Sequence, residues 1–257
     1  MTATSAASCG SSGTAAFLPH ARDVLDRETE ALGALSPGKH GASGLLRLTA
    51  PAALGREVIM PLMPELLDAH PRMRVEIQLT ERIVDLVHEG LDLAICIADL
   101  SDTDLVARRI GTVRRVICAA PAYLARRGRP ETRRDLAGHD CLTLVGSPRW
   151  RFDGATGVEP VHVSGRLTCD AIYGLLAACR AGAGLAMLST WSAASDLAAG
   201  RLIEIELDAP PHSPPISAVY PSARMVAPRV RVFLDKLSQA LADEARQVSG
   251  IKDRLGS

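Results

Sequence analysis

Apolar and polar positions alternate in two periods along this chain, and the switches between them predict its elements. From Phe17, Leu18, Leu25 and Leu32 recur every seven residues, beside a second set of Ala21, Glu28 and Leu35. That is a short heptad seam, suited to an amphipathic helix packed on its own domain or on a second copy. Ser36-Pro37-Gly38 stops it, and 41–44 reads as a linker. The apolar run 45–50 has strand length, and Pro51 follows it. A helix is predicted over 55–69, with Val58, Ile59, Leu62, Leu66 and Leu67 on one face and His70-Pro71 as its stop. Over 73–79, Val75, Ile77 and Leu79 alternate with Arg74, Glu76 and Gln78, which predicts a half-buried strand. A short helix is expected over 82–89 with Gly90 as its stop, then a strand buried on both faces over 91–97.

The second half repeats the style. Strands are predicted over 113–120, 141–145, 150–152, 161–164, 185–188, 202–206 and 216–220. Helices are predicted from Pro121, from Asp170 to about Ala181, over 191–199 and over 227–247. Strands alternating with helices give an α/β fold with mainly parallel sheets, and two such units suggest two lobes. Ligands in such folds sit at strand C-terminal ends, near helix N-termini.

Composition narrows the functions. The chain has 257 residues, with 29 Lys+Arg against 29 Asp+Glu, so it lacks the basic excess of a free-standing nucleic-acid domain. Its 47% hydrophobic content is enough for a core and excludes bulk disorder. No pair among Cys9, Cys96, Cys118, Cys141, Cys169 and Cys179 has C-x-x-C spacing, and we read all six as small buried hydrophobes rather than metal ligands. Residues 1–16 lack the basic start and apolar run of a secretory signal, and no stretch has the length of a membrane span, so a cytoplasmic protein is expected. Catalysis finds no foothold. Ser164 and Ser189 lack nucleophile-elbow flanks, no zinc-protease histidine pair occurs, and no Lys-Ser/Thr follows Gly182-Ala183-Gly184. His70, His88 and His139 read as capping or surface residues, and Arg108-Arg109 and Arg114-Arg115 as solvated doublets.

An ordered set of short blocks then carries a resemblance. It runs from Phe17-Leu18-Pro19-His20-Ala21-Arg22 through Gly44-Leu45-Leu46-Arg47-Leu48-Thr49-Ala50-Pro51 and His70-Pro71 to a long block from Glu81 to Ile95. Pro121-Ala122-Tyr123-Leu124, Ala181-Gly182-Ala183-Gly184 and Ala199-Gly200-Arg201-Leu202 follow in order. Over about 17–245 the chain resembles the effector-binding half of LysR-type transcriptional regulators, in particular the CrgA-like subgroup. The resemblance implies a two-lobed domain similar to type 2 periplasmic binding proteins, preceded by a linker helix. The expected organisation is a flexible tail at 1–16, linker helix and loop at 17–43, an effector-binding domain at 44–247 and a tail at 248–257. Lobe one would hold 44–117 plus 219–247 and lobe two 118–215. The crossings are expected near 119–121 and 214–218.

The family's pocket, carried over position by position, takes Thr49, Ala50, Pro51 and Ala52 after the first strand. The Thr49 hydroxyl and the helix-start amides would hold a carboxylate there, or Thr49 would only close the turn. Cys96, Ile97 and Ala98 end the central strand, with Cys96 where relatives often have Arg. Ala120 and Pro121 lie at the expected hinge. Thr168, Cys169 and Asp170 open the next helix; Asp170 stands where relatives often have Asn, and its plainer reading is an N-cap. An acid there disfavours an anionic effector nearby. Leu188 and Ser189 end a later strand. The implied partners are a small organic effector and further copies of the chain, as a homodimer or homotetramer, with no cofactor, metal or membrane. Family members bind DNA through a winged helix-turn-helix of roughly sixty residues. Only sixteen residues precede Phe17 here, and they carry no Arg or Lys. The expectation is a sensing module that does not bind DNA alone. The alternatives are a cytoplasmic solute-binding protein and an intact DNA-binding factor whose N-terminus lies outside this chain.

Overall fold

In a computed structural model, the structure describes residues 42–82, 84–98, 106–220 and 226–255, with the side chains of Val106 and 247–255 excepted. The expected tail at 1–16 and linker helix at 17–43 lie almost wholly outside the described residues.

Two five-stranded sheets organise the chain. The first joins β1 (Gly44–Ala50), β2 (Met73–Leu79), β3 (Leu93–Ile97), β4 (Val106–Thr112) and β12 (Pro215–Tyr220) in the order β2-β1-β3-β12-β4. β1 runs parallel to β2 and β3, while β12 runs antiparallel to β3 and β4. The second joins β5 (Arg115–Ala119), β6 (Cys141–Leu144), β9 (Thr168–Cys169), β10 (Leu185–Ser189) and β11 (Ile203–Ile205) in the order β11-β5-β10-β6-β9. A hairpin of β7 (Arg149–Gly154) and β8 (Gly157–His162) lies beside it. Both sheets are mixed rather than mainly parallel: in the first, β12, its last strand, runs antiparallel to both neighbours, and in the second, β5, its first strand, runs antiparallel to β10 and β11. The helices are α1 (52–69), α2 (Pro121–Arg127), α3 (Ile172–Arg180), α4 (Thr190–Ala198) and α5 (Pro228–Leu255).

Alternation explains the layering of lobe one. Leu46 and Leu48 of β1, with Leu93 and Ile95 of β3, face a core closed by Leu54, Ile59 and Leu66 of α1 and Val230, Phe233, Leu234 and Leu237 of α5. Ala94 of β3 faces the other side, under Leu86 and Leu91. α1 contains a π-turn at Gly55–Ile59. Pro61 has no N–H to give the Glu57 carbonyl, and Met60 N–H reaches back to Gly55 O instead. In lobe two both faces of the sheet are covered, one by Leu142, Leu175 and Leu188 and the other by Tyr123, Phe152 and Leu185.

Several expectations are corrected. The helix expected over 82–89 does not form at 84–89. Asp85 Oδ1 accepts the N–H groups of Val87 and His88, a local turn that competes with helical bonding, and Gly90 then adopts φ 63°. β4 was not expected, because the exposed Arg108 and Arg109 hide its period. α5 runs past the expected end at Gln247 to Leu255, through the weak helix formers Val248, Ser249 and Gly250. The crossings also move: the whole of β5 belongs to the second sheet and the whole of β12 to the first. The chain therefore crosses at 113–114 and 213–214, not at 119–121, and Val113 N–H donates to Pro214 O across the pair (2.9 Å). The apolar run 113–120 reads as one strand but spans the pivot.

Candidate functional site

Between the two sheets lies a cavity of about 420 Å³. Lobe one supplies the turn after β1 (Thr49, Ala50, Pro51), the segment after β2 (Thr80, Glu81, Arg82), and the end of β3 with the residue after it (Cys96, Ile97, Ala98). Lobe two supplies Leu142, Thr143 and Leu144 of β6, Ser147, Arg149 and Trp150, Ile172 and Leu175 of α3, Met187 and Ser189 of β10, and Trp191 of α4. Val113 and Arg115, beside the pivot, complete the wall. The wall is thus drawn from the C-terminal ends of β1, β3, β6 and β10, where strand ends leave backbone groups and short loops facing a crevice.

Seven of the expected residues come together on this wall: Thr49, Ala50, Pro51, Cys96, Ile97, Ala98 and Ser189. The others lie off it. Leu188 alternates away from Ser189 and is buried in the lobe-two core. Ala120 and Pro121 sit at the far end of β5, whose first residue, Arg115, is the one at the cleft; Ala120 O accepts the Tyr123 and Leu124 N–H groups at the start of α2. Thr168 and Cys169 form an edge strand pairing with β6. Asp170 is not the cap of α3: that position belongs to Ala171, which makes no side-chain cap bond. Ala52 is off the wall and gives its N–H to Glu81 Oε1 (3.1 Å).

The expected carboxylate grip is altered accordingly. Thr49 is buried, and its hydroxyl donates to Gln78 O (3.1 Å), which closes the β1–β2 edge. The foremost amide of α1 is held by the chain's own Glu81. Burial raises the Glu81 carboxyl above its ordinary range, and the Ala52 N–H offsets this in part. Burial also raises the Cys96 thiol, so it stays protonated at neutral pH. Away from the cleft, burial pushes Cys141 and Cys179 up to about 12, as expected of cysteines that serve as small core residues.

Sequence reasoning missed Glu81, Arg115, Arg149, Trp150 and Trp191. A usable signal existed: aromatic residues make up 3% of the chain, and its two tryptophans both line the cavity. The indole N–H of Trp191 is buried without an acceptor among the described residues. Ser189 and Ser192 share a hydrogen bond of 2.7 Å. Among the described residues no group of three or more His, Cys, Asp or Glu could hold a metal ion.

Two contacts bridge the lobes beside the cavity. The Tyr173 hydroxyl of α3 donates to Glu57 Oε1 of α1 (2.8 Å), while the Arg56 guanidinium lies 4.5 Å from the centre of the Tyr173 ring. Trp191 of α4 packs against the lobe-one core.

Comparison with known proteins gives a consistent result. Residues 39–242 match the family model described as LysR substrate binding domain. The chain is 29% identical over 229 residues to the HTH-type transcriptional regulator DmlR of Escherichia coli (strain K12), covering 87% of this chain and 74% of that protein. It is 32% identical over 204 residues to the HTH-type transcriptional regulator CrgA of Neisseria meningitidis serogroup C (strain 8013), covering 78% and 68%. The solved structure of CrgA, a LysR-type transcriptional regulator from Neisseria meningitidis, superposes with TM-score 0.70 at 28% identity, covering 90% of this chain and 80% of that one. The CrgA regulatory domain alone gives TM-score 0.67 at 30% identity, covering 77% and 99%.

Proposed function

We propose, for a chain that belongs to the LysR substrate-binding domain family and forms the effector-binding regulatory domain of a LysR-type transcriptional regulator, that its effector seats in the cleft between the two sheets. The observation that carries this reading is the 420 Å³ cavity walled by strand ends of both lobes, with a mostly apolar lining and a few polar groups. A ligand touching both walls binds the closed arrangement better than an open one, and so shifts the population between them. The Tyr173–Glu57 bond and the Trp191 contact lie across the same gap, so they form or break with that shift.

The surface supports self-association. Met60 and Leu67, seven residues apart on α1, and Leu79 on the edge strand β2 are large apolar residues left exposed. We assign this face to packing against lobe two of a second copy, in a homodimer or homotetramer. Sensing rather than base reading is assigned to the described residues, and the setting is the cytoplasm, where a bacterial regulator meets its genes. No described helix is long and apolar enough to cross a membrane.

The test is a titration of small metabolites followed by intrinsic fluorescence, since both tryptophans of the chain line the cavity. A saturable change in emission, accompanied by a raised melting temperature, is expected for the effector. A stabilising ligand that leaves both tryptophans unperturbed would place binding elsewhere and end the cleft reading.

A further inference from the structure

The two walls of the cavity bring different polar groups to it. At the lobe-one end two donors of the turn after β1 are taken: Thr49 donates to Gln78 O and the Ala52 N–H to Glu81. That end also presents the Glu81 carboxylate, and no ion pair joins it to a cation among the described residues. Arg82 shares the rim but is exposed, and only its backbone N–H is fixed, by Thr80 Oγ1. Lobe two brings donors. The Trp191 indole N–H, on a residue that packs against the lobe-one core, is buried without an acceptor, and Arg149 also lines the cavity. A ligand carboxylate placed at the start of α1 would meet the Glu81 charge, whereas a protonated amine there would complete it. A ligand oxygen brought to the indole would satisfy its N–H, whose unpaired burial is otherwise costly.

Resting on the cleft as the effector site, we infer that Glu81 sets its specificity for an amphoteric ligand of the amino-acid type. The ammonium lies against Glu81 and the acid toward Trp191 and Arg149. Glu81 thus stands where the sequence suggests a ligand carboxylate, and the ligand's polarity across the cleft is reversed.

Matched probes test this with the full chain: leucine, 4-methylvalerate and isoamylamine, and the aromatic trio phenylalanine, 3-phenylpropionate and 2-phenylethylamine. Binding is measured by calorimetry and by tryptophan emission. At least one amino acid should bind at least about tenfold tighter than its acid lacking the amine. Glu81→Gln should reduce that preference to about threefold or less, and Glu81→Asp should restore part of it. Both variants should melt near the parent, because each keeps a side-chain oxygen that can accept the Ala52 N–H. An acid that perturbs the tryptophans and binds as tightly as its amino acid overturns the inference but leaves the cleft reading intact. So does a preference that survives Glu81→Gln. Calorimetric binding with silent tryptophans overturns both, and no binding of any probe overturns the inference.

Discussion

The two lobes reach similar sheets by opposite means. Lobe one concentrates its core on one face, where long side chains from α1 and α5 (Leu54, Ile59, Leu66, Phe233, Leu237) fill the space above β1 and β3. Lobe two divides its core between two faces and relies on small residues where strands and turns crowd. Cys118, Cys141, Cys179 and Ala186 are fully buried there, and Gly184 lies so close to β6 that an added Cβ would stand 2.1 Å from the Asp140 carbonyl oxygen. Lobe one should therefore suffer most from removing volume and lobe two from adding it.

Truncation in lobe one sets the largest expected effect. Phe233→Ala should cost about 3–5 kcal/mol in denaturant unfolding, because the residue is buried between α5 and the sheet. The mirror experiment is Gly184→Ala, where one methyl group meets backbone that cannot turn aside. It should cost about 1–3 kcal/mol, and a neutral result would break the contrast between the lobes. Tyr173→Phe probes the joint rather than either core. It removes one half-buried bond to a carboxylate, a loss of about 1 kcal/mol, and leaves the ring under Arg56. Small-angle scattering should show a larger radius of gyration for this variant without ligand, and an unchanged value would deny the bond a part in closure.

A last contrast separates the lobes by pH. Burial raises Glu244 on α5 to about 7, so the folded state holds a proton there that the unfolded chain releases near 4.5. Stability from this group is present at low pH and lost as pH rises through 7. His139, on the lobe-two side, is shifted the other way, lowered chiefly by burial beside Tyr123 and further by Arg127. Its contribution is present above 6.5 and is lost as pH falls through the lowered folded value. Glu244→Gln should flatten the first slope and His139→Gln the second in melts run from pH 5 to 8.

Periodicity made β2 legible because Val75, Ile77 and Leu79 alternate with charged or amide neighbours, and β3 because its run is apolar on both faces. It failed where tertiary pairing or local side-chain bonds decide. β4 is held by β12 more than a hundred residues away, and Asp85 turns 84–90 out of a helix through its own carboxylate. The same division holds for the site. Strand ends such as Thr49, Cys96 and Ser189 lie on the wall because parallel strands deliver them there. Ala120, Pro121 and Asp170 do not, because the chain passes between lobes five or more residues earlier and α3 begins later than the pattern suggests. Glu81, Arg149 and Trp191 carry no spacing signal, since a cleft between lobes collects them from unrelated stretches.

The bond from Val113 N–H to Pro214 O has a mechanical consequence. A lone tether would let the halves swivel and tilt independently, spreading any occupancy signal over several coordinates. Two tethers locked side by side behave as a leaf spring that bends in one plane, so seating a metabolite is converted into a single angle for neighbouring subunits to read.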